Sequence, residues 1–146
     1  MKQIRGFFLC LVISILVAIF SDITIESDVS NTLFTIVGIM FSIGMSIAVT
    51  SNTSAVVNKK VRKNIREEIN RIRDLFIICF TFVAFIYVLN IIFVNWTLNV
   101  CGYKIFNLAI FQLIIQLYSI AYFVVNFKSL QNLNNQIGDA INDQYA

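Results

Sequence analysis

Apolar residues fall into four long blocks along the chain, separated by short polar segments and one charged segment. Phe7–Phe20 is an unbroken run of apolar or small residues, and the block extends to Ile25 if Asp22 is tolerated near its end. Leu33–Val49, Leu75–Trp96 and Ile105–Phe127 follow. A span needs about 20 such residues to cross a hydrocarbon core ~30 Å thick. The pattern therefore predicts spans over about 7–25, 33–50, 75–96 and 105–127. Between the first two, Ser30, Asn31 or Thr32 is expected to cap the second helix by accepting its free amide protons. Trp96 and Tyr103 bracket a short turn and suit an interfacial aromatic position.

The charged segment, Lys59–Arg73, carries its own pattern. Val57, Val61, Ile65, Ile69 and Ile72 recur in steps of four and three, the spacing of one narrow helical stripe. Lys63 with Glu67, and Glu67 with Arg71, are opposite charges at helical spacing. Neither Gly nor Pro separates this segment from the third span, so one helix of about forty residues, ~60 Å long, is expected. The Asn- and Gln-rich tail keeps a stripe as well: Leu130, Leu133, Ile137 and Ile141. The row Val61–Ile72 matches the row Leu130–Ile141 in length. The third and fourth helices are thus expected to continue past the membrane as an antiparallel stalk, 56–74 with 129–142, ~16 Å tall. The competing reading is a lone basic amphipathic helix lying on anionic lipid. The fold class expected is an all-α membrane protein: one integral membrane domain of four transmembrane helices, with helices 3 and 4 extended into a cytoplasmic stalk.

Composition agrees with this layout. The chain is 58% hydrophobic and 13% charged, against roughly a quarter charged in soluble domains. Seven of the eleven basic residues (Lys59, Lys60, Arg62, Lys63, Arg66, Arg71 and Arg73) lie in the central loop. Lys2 and Arg5 precede the first span, Lys104 lies in the last loop and Lys128 starts the tail. Four spans put ten of the eleven on one side, which should be cytoplasmic. That predicts a multi-pass membrane protein with both termini cytoplasmic. The first block also has the form of a secretory signal. Bulky Ile19 and Phe20 occupy the places where a small-x-small cleavage site is needed, so an uncleaved span is expected.

The chemistry on offer is narrow. There is no His, which removes the usual general base and pH switch. Cys10, Cys79 and Cys101 are far apart and read as buried, unpaired thiols rather than metal ligands. No charged residue lies well inside a span, which argues against proton-coupled transport. No nucleophile–base pair, phosphate loop or metal cluster is present, so no enzyme, cofactor or metal is expected. The basic stretch has no aromatic residue for base stacking, and its charge stands where topology requires it, so nucleic acid is not the expected partner. Two neutral features remain. In the second span Gly38, Ser42 and Ser46, and separately Gly44 and Ala48, repeat every four residues, as at close helix contacts, within one subunit or between copies. In the fourth span Gln112, Gln116 and Ser119 share one face. They serve either as hydrogen-bonding links inside a bundle or as the lining of a hydrated lumen.

The size, the four blocks, the basic helix Lys59–Arg73 between the second and third, and the short tail after Lys128 resemble a loose class of small bacterial and phage defence membrane proteins. That class includes the four-span exclusion protein of lambdoid phages and the transmembrane effectors of retron and CRISPR-associated systems. The resemblance is architectural and carries no signature residue. It implies an inner-membrane effector that oligomerises and permeabilises or depolarises the membrane in abortive infection, with a cytoplasmic protein or sensor acting on the stalk. The alternative is a non-conducting interaction protein (an immunity protein, anchor or assembly factor) docking a soluble partner through its basic helix.

Overall fold

The computed structural model describes residues 2–20, 25–94, 96–100 and 103–142. It contains four helices, α1 (Lys2–Phe20), α2 (Ser27–Thr50), α3 (Lys59–Ile92) and α4 (Leu108–Asn142), and two strands, β1 (Thr97–Val100) and β2 (Tyr103–Asn107). Asp22, Asn95 and Cys101 lie outside the described residues. Three helices, α2, α3 and α4, are long and apolar enough to cross a membrane, whereas Arg5–Phe20 is a shorter apolar helix.

The basic stretch runs into the third apolar block without a break. α3 is 34 residues long, ~51 Å at 1.5 Å per residue. It starts at Asn58, whose side chain accepts from the Lys60 and Val61 amides at 3.1 and 3.3 Å and so satisfies two donors of the first turn. α4 is 35 residues long and antiparallel to α3 across the hairpin. Ile65, Ile69 and Ile72 on α3 and Leu130 and Ile137 on α4 are buried in one continuous core, with Leu133 and Ile141 packed against it. Val61 falls off the row and is exposed, as is Val57, and Val56 from the α2–α3 linker is buried instead. The linker is not helical, so the period of four does not extend back through it. Lys63 pairs with Glu67 at 3.8 Å, but Arg71 pairs with Glu68 at 3.6 Å rather than with Glu67. These exposed pairs are worth a few tenths of a kcal/mol.

The turn expected at Thr97–Lys104 is a β-hairpin, so the fold is not purely helical. Thr97 pairs with Asn107 and Leu98 with Phe106, and the register then shifts so that Asn99 pairs with Lys104. Ile105 is the extra residue of this bulge. The hairpin trims the expected spans: α3 ends at Ile92, and α4 starts at Leu108 with Asn107 as its cap, accepting from the Ala109 and Ile110 amides.

α2 fills the groove between α3 and α4. Its start corrects the expected cap. The helix begins at Ser27 after Glu26, which makes no side-chain cap, so Ser30, Asn31 and Thr32 lie within the helix. Thr32 donates back to the Asp28 carbonyl at 2.7 Å, leaving Ser30 and Asn31 for contacts across the bundle.

α1 packs against α4 and β2. Cys10, Ser14 and Ala18 on one face are buried, and with Gly6 they form a small-residue row at steps of four. A Cβ on Gly6 would overlap the Tyr118 ring. Phe7 meets Phe82 at 4.7 Å and Tyr118 at 5.9 Å between ring centroids. Phe82 and Tyr118 each lie ~15 Å from the hairpin ends of their helices. The N-terminal turn of α1 therefore sits near the middle of the α3–α4 apolar region, and its C-terminal part runs beside the hairpin. Arg5 is exposed at this middle level, where an arginine facing lipid is costly.

Large apolar side chains cover the outside, among them Ile77, Ile78, Phe85, Val88, Ile91 and Ile92 along α3. A surface so continuous marks contact with lipid or with other chains.

Candidate functional site

α4 positions the polar interior. Gln112, Gln116 and Ser119, at steps of four and three, turn into the bundle and are 1%, 0% and 0% exposed. They do not lie on the outer surface of the single chain. Each meets a neighbour. Gln112 Nε2 donates to Ser30 Oγ, and Gln116 Nε2 to the Ser30 carbonyl at 3.3 Å. Ser119 Oγ donates to the Ile115 carbonyl at 2.8 Å and receives Cys79 Sγ–H at 3.4 Å. Ser30, an expected cap, is thus the α2 anchor for both glutamines. Sequence spacing put the three α4 residues on one face and could not show which helix lies opposite.

The pairing is incomplete. Gln112 Oε1, Gln116 Oε1 and Asn90 Oδ1 are buried without a hydrogen-bond partner. A buried amide oxygen left unpaired costs ~1–3 kcal/mol; the three found among the described residues are within the few that native chains of this size carry.

Clefts flank this interior at each end. At the hairpin end, a cleft of about 350 Å³ is lined by Ser27, Ser30, Asn31, Tyr87 and Asn90, with Ile25, Ile91, Val94 and Ala109. Tyr87 Oη donates to Asn31 Oδ1 at 2.8 Å across it. At the basic end, a cleft of about 470 Å³ lies between the lower halves of α3 and α4, with Glu68, Arg71, Tyr122, Asn126, Ser129, Asn132 and Gln136 among its walls. Between them stands an aromatic cluster. Phe41 stacks on Phe80 at 4.3 Å, Phe76 meets Phe123 edge-on at 4.9 Å, and Phe41 lies 6.5 Å from Phe123. Phe76 and Phe123 are fully buried. In this conformation the cluster closes the bundle just below Ser119.

The small residues of α2 divide into two rows with different surroundings. Gly44 and Ala48 are buried, and a Cβ on Gly44 would overlap the Phe76 ring, so this row brings α2 onto α3 within the chain. Gly38, by contrast, has open space where a Cβ would stand. Ser42 and Ser46 are exposed on the same row, Ser42 donating to the Gly38 carbonyl at 2.9 Å. Cys10 and Cys79 are free and buried.

The comparable row on α1, Gly6, Cys10, Ser14 and Ala18, escaped the sequence reading. Its signal was present as a four-residue repeat, masked by the bulky residues around it. No protein-family model, curated protein or solved structure matches the chain.

Proposed function

We propose that the chain is an inner-membrane effector in its closed form, one that oligomerises and permeabilises or depolarises the membrane in defence against phage. The observation that carries this reading is the under-paired polar track on α4, Gln112–Gln116–Ser119, which runs from the hairpin-end cleft to the aromatic cluster. Buried amides without partners are costly in a lipid-facing bundle, and a hydrated passage relieves that cost. Separation of the phenylalanines would join the two clefts through this track. The open row Gly38, Ser42 and Ser46 offers a close-contact face for a second copy.

In the proposed topology α1 is a fourth, partial span whose first turn, with Arg5, lies at mid-depth and faces the basic side. That side, with Lys59–Arg73 and the tail, is cytoplasmic. The continuation of α3 and α4 beyond the apolar blocks is then a cytoplasmic stalk and the contact for a sensor protein. Disulfide crosslinking tests the stalk. Ile65→Cys with Ile137→Cys should crosslink efficiently in membranes; lipid labelling of Ile65→Cys without a crosslink would discard it.

A second reading is favoured by one observation: each glutamine already donates an N–H to Ser30 within the chain. It makes the protein a non-conducting membrane partner that docks a soluble protein through its basic helix. Expression in bacteria with a potential-sensitive dye separates the two. Depolarisation within minutes of induction is expected of the effector, and normal potential and growth at high membrane levels would exclude it.

A further inference from the structure

We infer that the basic-end cleft between α3 and α4 holds the headgroup of a phospholipid, and that its charge pattern selects phosphatidylethanolamine. The inference requires only that α3 and α4 cross a bilayer, and it stands whether or not the protein conducts.

Depth is the first argument. The apolar block of α3 begins at Leu75, and that of α4 ends at Phe127. The cleft straddles this boundary on both helices. Leu75 and Tyr122 line it on the hairpin side, and Glu68, Arg71, Ser129 and Asn132 line it on the basic side. Arg71 stands ~6 Å beyond Leu75 along its helix, and Ser129 and Asn132 stand ~3 and ~8 Å beyond Phe127. The headgroup layer occupies about 5–8 Å outside the hydrocarbon core on each side. The polar wall thus lies at the depth of a phosphate, and the apolar wall at the depth of the first acyl carbons.

Charge narrows the ligand. Arg71 and Glu68 both line the cleft, with side chains 69% and 51% exposed and Arg71 Nη1 3.6 Å from Glu68 Oε1. That separation is too long for a hydrogen bond, and so exposed a pair is weak. Both groups therefore remain accessible to a ligand. Arg71 lies nearer the hydrocarbon, and Glu68 is ~4.5 Å further out. Phosphatidylethanolamine presents its charges in the complementary order, a phosphate beside the glycerol and an ammonium beyond it across an ethylene link. The planar guanidinium suits the phosphate, and the carboxylate accepts from the ammonium N–H groups. The trimethylammonium of phosphatidylcholine has no N–H to offer Glu68, and phosphatidylglycerol has no cation.

The fold leaves the place open. Nearer the hairpin α1 lies against Phe82 and Tyr118 through Phe7, whereas every described residue lining the cleft belongs to α3 or α4. At ~30 Å³ per water, about 470 Å³ is room for roughly fifteen waters, enough for a phosphoethanolamine of about eight non-hydrogen atoms with its glycerol ester.

The test is thermal unfolding of the full chain in a neutral detergent at fixed ionic strength, titrated with dioleoyl phosphatidylethanolamine, phosphatidylcholine or phosphatidylglycerol. Phosphatidylethanolamine should raise Tm saturably by about 5 °C. Its half-saturating mole fraction should lie about tenfold below that of phosphatidylcholine, the worth of one charge-assisted hydrogen bond. Arg71→Gln should raise that mole fraction by about tenfold or more. Glu68→Gln should abolish the preference over phosphatidylcholine, and it reports even if Arg71→Gln does not fold. A Tm indifferent to all three lipids would overturn the proposal, as would equal half-saturation by phosphatidylethanolamine and phosphatidylcholine in the wild type. A response strongest in phosphatidylglycerol would assign the effect to the net charge of Lys59–Arg73 and overturn it as well.

Discussion

Gly44→Leu should cost the bundle its closed packing. A Cβ alone at this position overlaps the Phe76 ring, and Phe76 cannot retreat, because it is fully buried with Phe123 and Tyr122 rings at 4.9 and 6.4 Å. Overpacking of this kind costs about 1–3 kcal/mol, and more where the backbone must move. Phe76→Ala taken alone leaves a hole and should cost about 3–5 kcal/mol. The two changes are complementary in volume, so Gly44→Leu with Phe76→Ala should recover much of the loss. Chemical unfolding of the four proteins in detergent measures this as a double-mutant cycle. Simple additivity of the two losses would show that the Gly44–Phe76 contact does not hold α2 against α3. Under the effector reading Phe76→Ala has a second consequence. It removes part of the aromatic closure, and depolarisation should appear at lower expression than in the wild type.

Gln112→Leu with Gln116→Leu is expected to separate stability from activity. Each change gives up one hydrogen bond to Ser30, worth about 1 kcal/mol, and also removes a buried oxygen whose orphan state costs ~1–3 kcal/mol. Over both residues about 2 kcal/mol is lost against ~2–6 kcal/mol regained, so the double variant should be as stable as the wild type or up to about 4 kcal/mol more stable. Under the effector reading, membrane depolarisation should disappear, because the track would then present leucine where water or ions would pass. The dye assay and the unfolding curve are read on the same preparation. Undiminished depolarisation by a stable double variant would remove these residues from any conducting role.

What the sequence disclosed depended on whether a feature repeats along one element or joins two. Ile65, Ile69 and Ile72, and likewise Leu130 and Ile137, are readable because burial on one helix face leaves a period of three or four. The uninterrupted helix from Lys59 was readable because no Gly or Pro breaks it. The apolar blocks were readable because lipid-facing surface leaves composition behind. The hairpin was not, since four or five residues per strand give too few alternations, and Trp96, Leu98 and Phe106 continue the hydropathy of the spans. Val56 displaces Val57 because a turn precedes it, and turn geometry is not periodic. Within the polar site, the common face of Gln112, Gln116 and Ser119 was legible. Their partners Ser30 and Cys79 were not: those contacts are separated by 82, 86 and 40 residues, and nothing local encodes them.

The row of small residues on α1 has one further consequence, for height. A surface that repeats every four residues looks nearly the same after a shift of one turn, ~6 Å. Cys10, Ser14 and Ala18 would therefore define which side of α1 meets its neighbours and leave its vertical position loosely set. Gly6 removes that freedom. It is the one member of the row without a Cβ, and Tyr118 occupies the space that a Cβ would need. Sliding α1 by a turn would bring Cys10 against the same ring and meet the same overlap. Tyr118 is thus a peg, Gly6 the only notch in the row that accepts it, and together they hold Arg5 at a depth that hydropathy alone would not choose.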